Sequence, residues 1–264
     1  MNFPPDIRLI GLPWDRSSSY LQGAALAPGR IREALHDGAS NYWTEGLVNP
    51  IEDPRFRDLG DFPVKEYLEI EQVAENLLSQ GIRLLTLGGD HSITYPLMRA
   101  HARHFQDFDI LQIDAHGDLY DEFEGERYSH ACPFARILEE GLCRRLHQVG
   151  IRAMNPHQME QARRFGVQTI DMRAFDRGER PRLTRPLYLS LDLDGLDPAF
   201  APGVSHQEPG GLTSREVLRL LQGIEVPIIG ADIVELNPHR DLQHTTAALA
   251  AKLLKEIAAK MLGR

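Results

Sequence analysis

Short apolar runs that end at Gly, Asp or Pro alternate along this chain with longer amphipathic stretches. The short runs have the length of β-strands, and the longer stretches have the spacing of helices. Several runs, including 84–85 and 228–229, are apolar without alternation, which is typical of strands covered on both faces. The pattern therefore predicts a three-layer α/β fold, a mostly parallel sheet with helices on both faces. The predicted strands are 8–12, 83–87, 109–113, 147–150, 167–170, 187–191 and 227–233.

Three stretches have clear helical signals. Residues 64–80 have helical spacing and stop at Gly81, a residue that commonly follows a helix. Residues 213–216 form the pattern of a capping box that opens a helix through 222. Residues 245–261 are rich in Ala, Leu and Lys and predict a long closing helix.

Length and composition are those of a soluble globular protein, with 264 residues, 42% hydrophobic and 25% charged. Residues 40–63 show little periodicity and predict a surface excursion, but no linker divides the chain, so we expect a single domain over 1–264. A net charge of −9 argues against nucleic-acid binding. Cys132 and Cys143 give no disulfide framework, and neither a signal-peptide pattern nor a membrane-spanning stretch is visible. The expected location is therefore the cytoplasm, with no membrane partner.

Three polar clusters follow apolar runs and carry the candidate chemistry. They contain Asp114, His116 and Asp118 in the first, Asp192 and Asp194 in the second, and His91 in the third. Asp114, His116 and Asp118 alternate along the chain, so in an extended segment their side chains project from one face. Ligands of parallel sheets bind outside the carboxyl ends of the strands, where all three clusters are predicted to lie. The clusters together predict a site for two divalent ions, held by His91, Asp114, His116, Asp118, Asp192 and Asp194.

The alternative for each cluster is a charged turn after a buried strand. This alternative explains one Asp but not three clusters, because carboxylates that converge without cations raise one another's pKa. We accept it for Asp197, since Asp-Pro begins turns. Asp90 is interpreted as a group that orients a ligand histidine. Spacing alone leaves open whether Glu235 is a solvated loop acid and whether His130 is a structural histidine.

The motifs resemble those of the ureohydrolase family, the arginases and agmatinases. The resemblance covers nearly the whole chain and includes Gly-Gly-Asp-His-Ser, Asp-Ala-His-Gly-Asp and Ser-Leu-Asp-Leu-Asp-Gly-Leu-Asp-Pro. Segments 128–131 and 203–206 are most similar to plant-type arginases. The resemblance implies the arginase-like three-layer fold and a homo-oligomer, a trimer or a hexamer.

The resemblance also implies a binuclear manganese enzyme that hydrolyses a guanidinium group by attack of a hydroxide shared between two Mn²⁺. Asp118 would aim the hydroxide and protonate the leaving amine, His130 would relay protons, and Glu235 would hold the guanidinium. One ion would be bound by His91, Asp114, Asp118 and Asp192, and the other by Asp114, His116, Asp192 and Asp194.

The acidic loop after Asp118 carries the question of substrate. Asp121 would favour a distal ammonium, as in agmatine, whereas Arg127 or Arg152 could meet the α-carboxylate of arginine. Asn155 stands where the family has an acidic residue for the α-amino group. The plant-type resemblance favours L-arginine, converted to urea and L-ornithine. Agmatine, or another guanidino or formimino compound, is the alternative substrate.

Three other kinds of protein fit the residues less well. Metallophosphatases have Gly-Asp-Xaa-His and Gly-Asn-His patterns that this chain lacks, and zinc deacetylases use one metal and fewer carboxylates. A non-catalytic family member would be expected to have lost a metal ligand, and all six are present here.

Overall fold

The computed structural model describes residues 3–263, which form an α/β structure around one eight-stranded sheet. The strands are β1 (Ile7–Gly11), β2 (Phe56–Asp61), β3 (Arg83–Leu87), β4 (Asp109–Ile113), β5 (Leu146–Ile151), β6 (Gln168–Asp171), β7 (Leu187–Asp192) and β8 (Ile228–Val234). Their order across the sheet is β2-β1-β3-β8-β7-β4-β5-β6, and every neighbouring pair is parallel. The predicted parallel sheet is confirmed.

Helices cover both faces of this sheet. They are α1 (Ala27–His36), α2 (Glu69–Leu78), α3 (Thr94–His104), α4 (Pro133–Glu139), α5 (Pro156–Phe165), α6 (Met172–Asp176), α7 (Ser214–Gln222) and α8 (Thr245–Met261). Buried residues of α1, α6, α7 and α8 form one apolar core with the sheet, and those of α2 to α5 form a second core on the other side. This arrangement confirms the three-layer fold. Within residues 3–263, no helix combines the length and apolarity needed to cross a bilayer.

The apolar pattern located the central strands well and the sheet edge poorly. All seven predicted strands are present to within one residue at each end. Strand β2 lies inside the predicted surface excursion, and it was missed because only Phe56 of its residues is buried. Helix α2 begins at Glu69 rather than at residue 64, because the Glu69 carboxylate accepts hydrogen bonds from the backbone nitrogens of Lys65 and Glu66. The capping box at Thr213 and helix α8 are confirmed.

The topology brings the candidate residues to one edge of the sheet. Strands β3, β8, β7 and β4 are consecutive neighbours and parallel, so their carboxyl ends lie side by side. The last residues of these strands and the segments that follow them carry His91, Glu235, Asp192 and Asp114, in that order across the sheet.

Candidate metal centre

His91 reaches the site through a turn that only glycine allows. A Cβ atom on Gly89 would lie 1.8 Å from the carbonyl oxygen of Trp14, so no larger residue fits at position 89. The backbone nitrogen of Asp90 donates to the same Trp14 oxygen at 2.8 Å. The turn is therefore fixed against the end of β1, and His91 points into the edge where four strands end.

Three carboxylates surround one nitrogen of His91. Nδ1 lies 3.1 Å from Asp114 Oδ2, 3.0 Å from Asp118 Oδ2 and 3.1 Å from Asp192 Oδ2. Despite these distances, this buried nitrogen makes no hydrogen bond of acceptable geometry to any residue that the structure describes. A nitrogen lone pair facing three carboxylate oxygens is the donor set of a divalent cation.

A second cluster overlaps the first through Asp114. His116 Nδ1 lies 2.9 Å from Asp194 Oδ2 and 3.6 Å from Asp114 Oδ1. The potential ligand atoms of Asp114, His116 and Asp194 all lie within 4.8 Å of one another, as do those of His91, Asp114 and Asp118. Since Asp114 belongs to both groups, it is placed to bridge two ions.

The charges of the site also suit two cations. Burial, with repulsion from Asp194 and Asp114, raises the pKa of Asp192 well above its usual value. Burial and the charge of Asp114 raise the pKa of Asp118 to about 6. The four Asp side chains bring up to four negative charges into a buried space, and two divalent cations would neutralise that charge. The residues therefore fit a binuclear metal centre.

The group that orients His91 is Asp232, not Asp90. The Nε2 atom of His91 lies 2.9 Å from the Ser190 hydroxyl, which donates to Asp232 Oδ1 at 2.7 Å. The Asp90 carboxylate instead accepts hydrogen bonds from the backbone nitrogens of Ser17 and Ser92. The interpretation of Asp90 from sequence was wrong, because its carboxylate is engaged by Ser92 and by the distant segment after β1.

Two of the acidic residues at the centre have unusual backbone conformations. Asp118 has φ 50° and Glu235 has φ 67°, in the left-handed region that side chains other than glycine rarely adopt. Such residues cluster at functional sites because the surrounding structure holds them there. The backbone nitrogen of Glu235 donates to Gly89 at 2.8 Å and fixes this turn beside the His91 turn.

Glu235 and His130 form a buried pair beside the metal clusters. Glu235 Oε1 lies 2.9 Å from Nδ1 of His130 and accepts from the backbone nitrogen of His91 at 2.8 Å. Burial alone would lower the pKa of His130, but the charge and hydrogen bond of Glu235 raise it to about 9. Burial acts to raise the pKa of Glu235, and His130 outweighs it and lowers that pKa. The carboxylate is thus ionised and faces the metal-binding edge.

A small cavity opens onto this edge. Its volume is about 160 Å³, and Lys and Arg side chains are missing from its lining in the described chain. A larger groove of about 710 Å³, which includes residues of α5 and β6, contains none of the clustered metal ligands. The small cavity is lined by Ser19, His116, Asp118, Tyr120, Phe123, His130, Ala131, Ala153, Gln158, Asp192, Asp194, His206 and Glu235.

Of the residues expected to contact substrate from the acidic loop, Asp121 and Arg127 do not line this cavity. Arg127 is 55% exposed and pairs with Glu139 at 3.2 Å. Asp121 accepts a hydrogen bond from Gln161 on α5. Their expected roles in substrate binding are therefore not supported, because each side chain pairs with a residue that does not line the cavity.

The polar groups of the Asn155 and Arg152 side chains form hydrogen bonds within the protein. The Asn155 side chain accepts from the backbone nitrogen of Gln158, which caps α5, and donates to the Tyr120 hydroxyl at 2.6 Å. Asn155 thereby positions a residue of the cavity without lining it. The guanidinium of Arg152 donates to backbone carbonyls, including that of Asp194 at 2.7 Å, so it stabilises the backbone that carries this proposed ligand.

Several lining residues were not identified as site residues from the sequence. Ser19 lies in a loop after β1 whose sequence carries no metal-binding pattern, and Gln158 lies on α5, which was not predicted. His206 sits in a segment that was noted for resemblance alone, and its ring lies 5.2 Å from the His130 ring. Tyr120 and Phe123 come from the acidic loop after Asp118, in which Asp121 and Arg127 were the residues expected to contact substrate.

Comparison with known proteins agrees with this geometry. The model of the Arginase family matches residues 5–259. The chain belongs to the arginase family. It is 47% identical to "Arginase 1, mitochondrial" of Arabidopsis thaliana over 96% of this chain and 80% of that protein. The structure of an arginase from Medicago truncatula superposes with a TM-score of 0.91 at 43% identity, covering 97% of this chain and 87% of that one. The resemblance to plant arginases drawn from the motifs is confirmed.

The relatives overturn the expected location. Plant arginases similar to this chain are named mitochondrial, or chloroplastic and mitochondrial, which points to an organelle rather than the cytoplasm. The prediction was wrong because the lack of a visible signal pattern is not positive evidence for any compartment.

Proposed function

We propose that this chain is an arginase that hydrolyses the guanidinium group of L-arginine to urea and L-ornithine with two Mn²⁺ ions. The observation that carries the proposal is the pair of His and Asp clusters that share Asp114 beside the ionised Glu235. The arginases of Arabidopsis and Medicago support the activity, and agmatine is not favoured as the substrate.

Five of the proposed ligands belong to the two clusters, and Asp192 is the sixth. Oxygen-rich sites with imidazole suit Mn²⁺. Asp192 is included in both sets, as the resemblance to the family implies, and its Oδ2 lies 3.1 Å from His91 Nδ1. One ion would be held by His91, Asp114, Asp118 and Asp192, and the other by Asp114, His116, Asp192 and Asp194.

When bound, the two ions would lower the pKa of water and supply hydroxide for attack on a guanidinium carbon, which is a poor electrophile. Glu235 would bind the guanidinium by charge-assisted hydrogen bonds and orient its carbon toward the metal-binding edge. Asp118, which lines the same cavity, would hold a proton and deliver it to the leaving amine. His130 would carry protons between the cavity and solvent.

The rest of the substrate would meet neutral polar groups. Tyr120 and Gln158 line the cavity and can donate hydrogen bonds to the α-carboxylate or accept them from the α-amino group. In this proposal the guanidinium end supplies the charged contacts, and the amino-acid end is recognised by hydrogen bonds.

We further propose that residues 1–264 act as a single domain and that the protein is a homo-oligomer, a trimer or a hexamer. The match of the family model over residues 5–259 and the continuous sheet support the first statement. Light scattering coupled to size exclusion would give the mass of the assembly, and a monomer would contradict the second.

The activity is tested by urea release from the Mn²⁺-loaded protein, with L-arginine, agmatine, 4-guanidinobutyrate and guanidine offered separately. We expect L-arginine to give the highest kcat/KM. The Asp118→Asn variant, loaded in the same way, is the control for urea from a contaminating enzyme. A preference for agmatine would contradict the proposed substrate, and release of no urea from any compound would contradict the proposed reaction.

A further inference from the structure

The His130 ring is held at both of its nitrogens. Nδ1 lies 2.9 Å from Glu235 Oε1, and Nε2 lies 2.8 Å from the hydroxyl of Ser19. The three groups form a hydrogen-bonded line at the wall of the small cavity, which all three of them line. Ser19 is half-buried, so it stands at the more solvent-accessible end of the line.

The segment that carries Ser19 is fixed by hydrogen bonds to Asp90 and to His130. The Asp90 carboxylate accepts from the backbone nitrogen of Ser17 at 2.9 Å, and the carbonyl oxygen of Ser17 accepts from the backbone nitrogen of His130 at 3.1 Å. Asp90 itself is fully buried and directly precedes His91. The position of the Ser19 hydroxyl is therefore set by the same structure that places the metal ligand and His130.

A hydroxyl is suited to this place because it can both donate and accept. The carboxylate of Glu235 accepts only, so Nδ1 of His130 must carry a proton. Nε2 is then a lone pair in the neutral ring and an N–H in the charged ring. The Ser19 hydroxyl can donate to the lone pair and accept from the N–H, so the ring keeps both hydrogen bonds when its proton moves.

We propose that Ser19 is a positioning residue for His130, holding the ring in one orientation in both of its protonation states. The inference rests on the proposed function, in which His130 transfers protons during guanidinium hydrolysis. Ser19 would act through His130 and would not be needed for binding of the guanidinium, which is assigned to Glu235.

The main experiment is a double-mutant cycle on the Mn²⁺-loaded enzyme with L-arginine. We expect Ser19→Ala to lower kcat by about 5- to 30-fold with little change in KM, since a well-placed acid–base group contributes about 10²–10⁴-fold and only its orientation is lost. In the His130→Asn background, the same Ser19→Ala change should have no further effect on kcat. Ser19→Thr keeps the hydroxyl and should restore most of the activity.

Ser18→Ala is the matched control, because the Ser18 hydroxyl lies in the same segment, 3.3 Å from Asp90, and has no contact with His130 among the described residues. This variant should turn over arginine like the parent enzyme. Equal loss in the Ser18 and Ser19 variants would show a general effect on the loop and overturn the inference. A Ser19→Ala effect that persists without His130, or that raises KM alone, would assign Ser19 to substrate binding and also overturn it.

A crystal structure of the Mn²⁺-loaded Ser19→Ala variant tests the same inference without turnover. We expect the His130 ring to rotate or to occupy two orientations, while the ring in the Ser18→Ala variant stays within hydrogen-bond distance of Glu235. A single unchanged ring orientation in the Ser19 variant would overturn the positioning role. Absence of urea release by the parent enzyme would refute the proposed function, and this structural comparison would still decide what Ser19 does.

Discussion

Replacing Asp232 with Asn tests whether the hydrogen bonds behind His91 set the affinity of the metal centre. Asp232 is fully buried and lies next to Ser190, whose hydroxyl connects it to Nε2 of His91. Its other oxygen accepts from the hydroxyls of Thr94 at 3.0 Å and Tyr188 at 2.8 Å. The carboxylate thus accepts three hydrogen bonds and donates none.

These contacts determine which ring nitrogen of His91 carries the proton. Because a carboxylate only accepts, the Ser190 hydroxyl donates to Asp232 and must accept from Nε2–H of His91. Nδ1, which faces the three carboxylates, is then left as a lone pair for a cation. An Asn amide can turn its NH₂ group toward Ser190, reverse that hydroxyl and shift the ring proton to Nδ1, where it would compete with the metal.

Loss of such an orienting partner typically weakens metal binding by about 10- to 100-fold. This range corresponds to about 1.4–2.8 kcal/mol of binding free energy. Binding of Mn²⁺ to the metal-stripped Asp232→Asn variant, followed by isothermal titration calorimetry, measures the loss directly. Thr94→Val is the matched control, because Thr94 contacts the oxygen of Asp232 that does not face Ser190.

We expect the control to bind Mn²⁺ nearly as tightly as the parent protein. If the Asp232→Asn variant bound Mn²⁺ as tightly as the parent protein, the tautomer of His91 would not depend on the hydrogen bonds through Ser190 to Asp232. Equal weakening in both variants would show that packing around Asp232, rather than its link to Ser190, is what matters.

Four further expectations concern the site and the core. Asp118→Asn should abolish nearly all urea release while circular dichroism shows an intact fold, and near-normal turnover would contradict the placement of the metal centre. Glu235→Gln should raise KM and lower kcat for arginine in steady-state assays, because a neutral amide binds a guanidinium more weakly; unchanged constants would mean that guanidinium is held elsewhere. Chelation should lower the melting temperature in calorimetry, since metal binding favours the folded state, and an unchanged temperature would count against a buried cation site. Burial lowers the pKa of His101 from 6.5 to about 4. As pH falls below 6.5, His101 is therefore protonated in the unfolded chain before it is protonated in the folded one. The free energy of unfolding should fall by about 2 kcal/mol at pH 5 for this reason. Chemical denaturation of His101→Gln at pH 7 and pH 5 should show a smaller loss than the parent, and an identical loss would refute this assignment.

The metal-ligand clusters could be predicted because they depend on local geometry. Asp114, His116 and Asp118 follow an apolar strand, and alternation along the chain is enough to expect them on one side. The distances of 3.0–3.1 Å from His91 Nδ1 to three carboxylates were beyond the sequence, since they depend on which strands are neighbours. The order of β3, β8, β7 and β4 brings together segments more than a hundred residues apart.

The substrate-contacting residues were harder to predict because a loop has no periodicity to orient its side chains. Arg127 and Asp121 were predicted from their charge, and in the structure both pair with residues that do not line the cavity. Tyr120, an uncharged neighbour, lines the cavity. Its position depends on Asn155 at the start of α5, a contact that follows from tertiary packing alone.

The strain and charge of the centre lead us to expect that metal binding and folding are linked in this protein. Asp118 and Glu235 both hold left-handed backbone conformations, and each such residue typically costs about 1–3 kcal/mol. Burial raises the pKa of Asp118 and Asp192, which means that the ionised site is unfavourable without cations. Two divalent ions would remove the repulsion between these carboxylates and stabilise the arrangement. The same residues that make the site costly to fold are those that would make it bind cations tightly.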